Sequence, residues 1–335
     1  MAQAVITTND IASYVNSVRS ATKWMLSIQN PDGSINPADK GPLTYYKVPR
    51  GLAITGHLDE ADRLLDWARR EIFTSEGDFK AQRAGFHQAH YTYSSCWFVW
   101  AAQTIGRFDM SYPGMDYLQR FRHPGTGGYC SEATYGSGNN EQDLLSTAFT
   151  SFVGLYFGRV KEAKAAARWI DDLLAQQPEV GKRLWLRKDD GGKLLTAVPA
   201  GCAEPRYYLL ELPAPQQYYY YLGAGIVFLA KLYTITGQKR HLRTAHKIFK
   251  IASGCHPDVF LTDGTGKVGL GSSYLYQITG KREYAEAARK SCEFLVRDQQ
   301  PDGYWERGGK PTASSTAEFV VWLKEILAVF HGQDA

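Results

Sequence analysis

The chain has 335 residues, 44% of them hydrophobic and 21% charged, with a formal net charge of +4. That is apolar material for one large domain or two ordinary ones, and too little unbalanced charge for a nucleic-acid binder. The longest basic cluster, GQKRHLRTAHKIFK, reads as the solvent face of a helix, so no nucleic-acid partner is expected.

In chain order, a surface helix over residues 10–28 comes first, then the loop QNPDGSINPADKGP. No run approaches the eighteen apolar residues that a membrane span needs, and MAQAVITTNDIASYV lacks a basic start followed by an apolar core. The expectation is a cytoplasmic protein with no membrane insertion. GPLTYYKVPRGL then opens a buried helix, with Tyr45, Tyr46 and Lys47 at its start. A lysine placed there must snorkel, pair or lose its charge. AITGHLDEADRLLDWARR follows: an apolar helix stopped at Gly56, then an amphipathic one. Glycine accepts a positive φ without penalty, so it suits such a stop.

The same sentence recurs around Gly106, Gly158, Gly237 and Gly280. Each helix after the glycine is amphipathic; in REYAEAARKSCEFLVRDQ, Tyr284, Ala287, Ala288, Cys292 and Leu295 recur at three- and four-residue steps. Each helix before it (SSCWFVWAAQTI, LLSTAFTSFVGLYF, YLGAGIVFLAKLY) is apolar nearly all round and reads as buried on every side. Long loops link the units. GFHQAHYTYSSCW carries His87, His90, Tyr91, Tyr93 and Cys96; His90 and Tyr93 lie one turn apart and share a face. YCSEATYGSGNNEQD offers Cys130, Glu132 and Tyr135, with Asn140 and Asp143 read as caps of the next helix. KRLWLRK and KLLTAVP suggest a short hairpin within an insertion over about 178–215. PAPQQYYYYLGAG puts Tyr218 to Tyr221 on the first turn of a buried helix, pointing in all directions. The last loop, QQPDGYWERGGKP, brings Trp305 and Glu306, and TAEFVVWLKEILAVF closes the chain.

Six surface helices alternating with six buried ones predict an all-α fold, an (α/α)6 barrel of inner and outer helices spanning 1–335 as a single domain. An open solenoid of helix pairs is the alternative. The five cysteines are odd in number and widely spaced, which suits reduced thiols.

Two stretches repeat each other. Phe294-Leu295-Val296, Gln299, Gly303 and Trp305 resemble the Gln–Trp repeat of terpenoid (squalene-type) cyclases, echoed in protein prenyltransferase β chains. Gln29-Asn-Pro-Asp-Gly33 repeats it with Ile35 in place of the tryptophan. The resemblance implies an α/α toroid, with the glutamine bonded to orphan backbone groups at neighbouring helix ends and the indole stacked on it. The family's catalytic signatures are missing: there is no Asp-x-Asp-Asp, and neither Asp171-Asp172 nor Asp189-Asp190 continues as Asp-Asp-x-x-Asp. Cys255-His256-Pro-Asp258 has zinc-ligand residue types but crowded spacing, so no metal is expected. No phosphate loop or dinucleotide fingerprint is present, so no cofactor is expected either.

In such a ring the cavity opens where inner helices begin, and their N-termini favour anionic groups. The leading reading is a cofactor-independent acid–base enzyme (isomerase, cyclase or dehydratase) acting on a largely apolar or aromatic small molecule, with an anionic group allowed. Tyr46, Lys47, His87, His90 and Glu132 would supply the chemistry. Tyr45, Tyr91, Tyr93, Tyr135, Tyr218, Tyr219, Trp305 and Glu306 would bind the substrate. A glycan-processing lyase, hydrolase or epimerase is the alternative, and a non-catalytic binding toroid the third.

Overall fold

The computed structural model describes residues 5–36, 45–80, 85–262 and 264–331. Residues 37–44, 81–84 and Asp263, parts of three of the long loops, lie outside the described residues.

The N-terminal half holds α1 (Thr8–Ser27), α2 (Val48–Ile54), α3 (Leu58–Glu71), α4 (Gly85–Ala89), α5 (Thr92–Ile105), α6 (Phe108–Gln119), β1 (Gln142–Asp143), α7 (Leu144–Leu155) and α8 (Val160–Ala175). Then come β2 (Arg183–Trp185), β3 (Arg187–Lys188), β4 (Leu209–Glu211), α9 (Tyr220–Thr236), α10 (Lys239–Ser253), α11 (Thr265–Thr279), α12 (Arg282–Asp298), β5 (Glu306–Arg307), β6 (Lys310–Pro311) and α13 (Ala313–His331). Apart from the short α4, helices alternate in character. Every residue of α7 is buried, whereas α3 buries only Ala61, Leu64, Leu65 and Ala68, one stripe at helical spacing. Gly56, Gly106, Gly158, Gly237 and Gly280 all have positive φ, as helix-stop residues should.

Two compact units emerge. Unit 1 comprises Met1–Arg83, Ser94–Gln119 and Cys292–Ala335; unit 2 comprises Ala84–Tyr93 and Arg120–Ser291.

In unit 1, α13 packs against both α1 and α2, so the first and last helices of the chain meet there. The repeated Pro-Asp-Gly loops turn out to be the same clip used twice. Gln29 Nε2 donates to Glu60 O of α3 (2.8 Å), and Gln299 Nε2 donates to Ser17 O of α1 (3.0 Å) and to Gly303 O (2.8 Å). Gly33 has φ +93°, and a Cβ there would fall 2.0 Å from Arg63 O; at Gly303, φ +95°, it would fall 2.6 Å from the Ser20 carbonyl. The loop backbone thus lies directly on the next surface helix, which only glycine permits. This corrects one expectation. The glutamines bond carbonyls within the neighbouring helix, Glu60 in the first turn of α3 and Ser17 midway along α1, which are not the orphan carbonyls of a helix C-terminus, because the glycine brings the loop against the helix side. The Trp305 indole turns back to its own helix, donating to Leu295 O (2.8 Å), with its ring edge-on to Phe319 (5.4 Å).

In unit 2, α9 is the central helix, packed on α7, α10 and α11. Its contact with α11 is close: a Cβ on Gly223 would lie 2.5 Å from the Lys267 backbone carbon. The expected hairpin is a stub. Lys188 and Leu194 share one isolated bridge, while β2 pairs with β4 and β3 with β1, all antiparallel. Pro199 lacks the N–H that a longer hairpin would need. The register sets Asp143 opposite Arg187.

Candidate functional site

The polar groups of unit 2 gather where its buried helices begin. Asp143 is the N-cap of α7, its carboxylate accepting from Ser146 N (2.9 Å). That role satisfies one orphan N–H and sets a negative charge at the helix's positive end. The capping expectation therefore holds, but Asp143 does more. It is fully buried beside His90, also fully buried, with Oδ1 3.3 Å from Nδ1. On the other side of the ring, Nε2 lies 2.7 Å from the hydroxyl of Tyr221 in the first turn of α9. The result is a carboxylate–imidazole–phenol chain drawn from β1, the turn between α4 and α5, and α9.

Protonation follows from the surroundings. Burial lowers the His90 pKa by more than the facing Asp143 restores, so the ring is neutral near pH 7. Burial raises Asp143, but His90, Arg187 and the Ser146 N–H outweigh it and hold the carboxyl well below its usual range. Burial and the Asp143 charge push the Tyr221 phenol far up. The consistent arrangement has Tyr221 donating to Nε2 while Nδ1–H faces the Asp143 carboxylate.

Arg187, in the insertion, braces this chain. It is 1% exposed and donates from Nε to Tyr207 O (3.0 Å) and from Nη2 to Ala89 O (3.2 Å), just ahead of His90. Its guanidinium lies over the Tyr208 ring (4.5 Å) and within 3.4 Å of Glu141. Beside it runs a ladder of stacked phenols: Tyr207 on Tyr218 (5.6 Å), Tyr218 on Tyr220 (5.2 Å), Tyr220 on Tyr221 (4.9 Å). The Tyr220 hydroxyl is buried with no hydrogen-bond partner among the described residues. Lys267 at the start of α11 sets its ammonium 5.3 Å from the Tyr93 ring and 6.0 Å from the Tyr220 ring.

Of the residues singled out from sequence, His90 and Tyr93 join this cluster; Tyr93 and His90 both contact Phe86 (5.4 and 5.0 Å). His87 sits half-buried at the edge, edge-on to the same Phe86 (5.3 Å). Glu132 is half-buried, and its charge helps to raise the Tyr208 phenol, which burial above all pushes up to about 12. Tyr218 is held by Glu204 (2.7 Å) and Arg206 (3.1 Å), outside the imidazole chain but within the ladder. The others are elsewhere. Tyr219 donates to Asp258 (2.5 Å), Tyr91 stacks on Phe121 (5.6 Å), and Tyr135, 40% exposed, stands edge-on to His123 (4.6 Å). Burial raises the Cys130 thiol to about 11, so it is no nucleophile. Cys255 Sγ bonds Ile251 O, while neighbouring His256 pairs with Asp258 (2.9 Å). Among the described residues no group of three or more His, Cys, Asp or Glu could hold a metal ion.

Tyr45, Tyr46, Lys47, Trp305 and Glu306 belong to unit 1. Lys47, the N-cap of α2, forms a buried ion pair with Glu318 of α13 and lies 5.0 Å from the Tyr46 ring and 5.7 Å from the Trp97 ring. Burial, then the Glu318 charge, raises the Tyr46 phenol. Tyr45 is buried edge-on to Trp67 (5.1 Å), Trp305 is buried in the loop clip, and Glu306 lies in the β5–β6 ribbon.

Sequence reasoning missed Asp143 as more than a cap, and missed Arg187, Tyr207, Tyr208, Lys267 and Glu318. Tyr220 and Tyr221 stood only among four adjacent tyrosines.

At the sequence level no family model and no curated protein matches the chain. At the level of structure it is similar to a D-mannose isomerase, with TM-score 0.71 at 11% identity over 98% of this chain and 100% of that one. It is similar to the α-1,6-mannanase of Salegentibacter sp. HEL1_6, TM-score 0.63 at 14% identity over 94% and 99%. It is also similar to the type II terpene cyclase MstE of Scytonema, TM-score 0.58 at 14% identity over 95% and 98%. At such identities the likeness is one of fold. The protein has the all-α, α/α-toroid fold of alternating inner and outer helices, and a terpene cyclase is among the proteins sharing it. No helix among the described residues is long and apolar enough to cross a membrane.

Proposed function

We propose that the protein is an enzyme that moves protons on a small organic molecule, in the manner of an isomerase, cyclase or dehydratase, with the His90–Tyr221 pair as its working groups. The observation that carries this is the buried order carboxylate–imidazole–hydroxyl, Asp143–His90–Tyr221. In it a substrate proton taken by the Tyr221 oxygen releases the phenol proton to His90 Nε2. The imidazolium so formed is stabilised by Asp143, and the proton returns to a different substrate atom. The phenol ladder offers flat faces to an apolar or aromatic substrate, and the free Tyr220 hydroxyl a donor to its oxygen. Arg187 holds His90 and Tyr207 in place, and Lys267 favours an anionic group. An isomerase and a terpene cyclase on the same fold support this class of chemistry.

The glycan-processing alternative draws support from the mannanase likeness. An inactive variant of that mannanase is altered at two consecutive aspartates. Here both consecutive pairs are occupied elsewhere: Asp171 by Arg240 and Thr244, Asp172 by Lys188, Asp190 by His123, while Asp189 caps a turn at Lys193 N. Proton transfer is therefore the better reading.

The test is to identify small molecules that co-purify with the protein by mass spectrometry, then to incubate each in D2O and follow deuterium by NMR. Wild type should place solvent deuterium on substrate carbon, and Tyr221→Phe and His90→Gln should each cut the rate about 10²–10⁴-fold. Unchanged rates in both variants would remove the assignment, and binding without turnover would leave a binding toroid.

A further inference from the structure

Unit 1 carries a second polar seam, away from the residues assigned above. Along α2, Lys47 and Arg50 are three residues apart; along α13, Glu318 and Glu325 are seven apart. All four therefore lie on facing helix sides, pairing Lys47 with Glu318 and Arg50 with Glu325 (2.9 Å). Arg50 is 6% exposed, and its guanidinium also lies 4.4 Å from the Trp100 ring centre. Its Nε is buried with no hydrogen-bond partner among the described residues. A charged donor left unpaired in this way is costly unless something accepts from it.

Beside it is a cleft of about 370 Å³ between α1, α2 and α13. Its walls are aliphatic (Val15, Val18, Ile54, Leu327 and Ala328), and its charged groups are Arg50, Lys324 and Glu325. Glu325 already serves Arg50, and Lys324 has no ion-pair partner among the described residues. Two cations thus face one carboxylate in an apolar-walled cleft. A second anion would balance the charge, and an alkyl chain would cover the walls.

We propose that this cleft binds a small aliphatic monocarboxylate, its carboxylate between Arg50 Nε and the Lys324 ammonium and its chain against Val15, Val18, Ile54 and Leu327. A phosphate dianion would overshoot the charge, and a neutral alcohol would leave it unbalanced.

Hexanoate is the probe, titrated into the full chain and followed by saturation-transfer NMR, with hexanol and hexylammonium as controls. Saturable hexanoate binding is expected, about tenfold or more tighter than either control. Val15→Trp, which fills the cleft without touching a charge, should weaken it about tenfold or more, and Lys324→Gln severalfold. A thermal melt establishes that each variant is folded; should Val15→Trp fail to fold, Lys324→Gln decides. No saturable binding, equal binding of hexanol, or hexanoate affinity unmoved in the folded variants would overturn the proposal.

Discussion

Both units bury charge among aromatic rings, but they spend it differently. In unit 1 the buried charges are ion pairs, Lys47 with Glu318 and Arg50 with Glu325, each cation against a tryptophan, Trp97 or Trp100. Each pair sets one cation against one carboxylate. In unit 2 the chain Asp143–His90–Tyr221 passes through a neutral imidazole whose pKa has been lowered, so one proton has more than one place to sit. A buried pair of fixed charges holds helices in register; a buried titratable relay can do chemistry.

Breaking each region should expose this difference. The largest effect is expected from Asp143→Asn. It strips His90 of its carboxylate and removes one of the negative charges acting on Arg187, costing about 3–5 kcal/mol of stability in urea unfolding as well as the proposed activity. Glu318→Gln in unit 1 should cost about 3 kcal/mol, since the buried Lys47 loses its carboxylate. The double replacement Lys47→Met with Glu318→Leu should recover most of that, because an apolar pair of similar size pays no desolvation. No such rescue of function is expected in unit 2, where an apolar double replacement of His90 and Asp143 should abolish the proposed turnover.

Next in size is Gly303→Ala. The positive φ and the Ser20 backbone at 2.6 Å leave no room for a methyl group, so a loss of about 1–3 kcal/mol in a thermal or urea melt is expected. The equivalent change at Gly56, also at positive φ but with open space around it, should cost less, about 1 kcal/mol.

The smallest effect is one of pH, and it separates the units. His90, His241 and His246, all in unit 2, have pKa values below 6.5, in each case chiefly through burial. A base whose folded pKa is depressed gains its proton first in the unfolded chain. The stability it lends is therefore complete above 6.5 and is lost as pH falls from there toward the folded value. Hydrogen exchange at pH 5.5 against pH 7.5 should show unit 2 amides losing protection before those of unit 1. Equal loss in both would contradict the contrast drawn here.

Much of the scaffold was legible because its signals are local. A glycine at positive φ, a stripe at helical spacing and a loop written twice each depend on neighbours in sequence, and all five helix-stop glycines fall where expected. The candidate site was legible only in fragments. His90 stood out by residue type, but its partner Tyr221 is 131 residues away and was one of four tyrosines. Asp143 showed only its local role as a cap. Arg187 sits in KRLWLRK, where alternation reports a strand and nothing reports which strand it pairs with. Side chains that meet through tertiary packing leave no period in the sequence.

The two units also differ in how the ribosome delivers them. Unit 2 is drawn from residues 120–291 plus one short earlier segment, so nearly all of it is in hand as soon as α12 begins to emerge. Unit 1 must wait: Lys47 is made 271 residues before Glu318, and the groove that α13 fills between α1 and α2 stays open until α13 itself is made. The usual order of maturation, first-made part first, is therefore expected to be reversed here. A nascent molecule stalled before α13 would have the residues of unit 2 in hand while unit 1 still lacked the Glu318 carboxylate and the helix that covers α1 and α2, leaving aliphatic surface as a handle for chaperones.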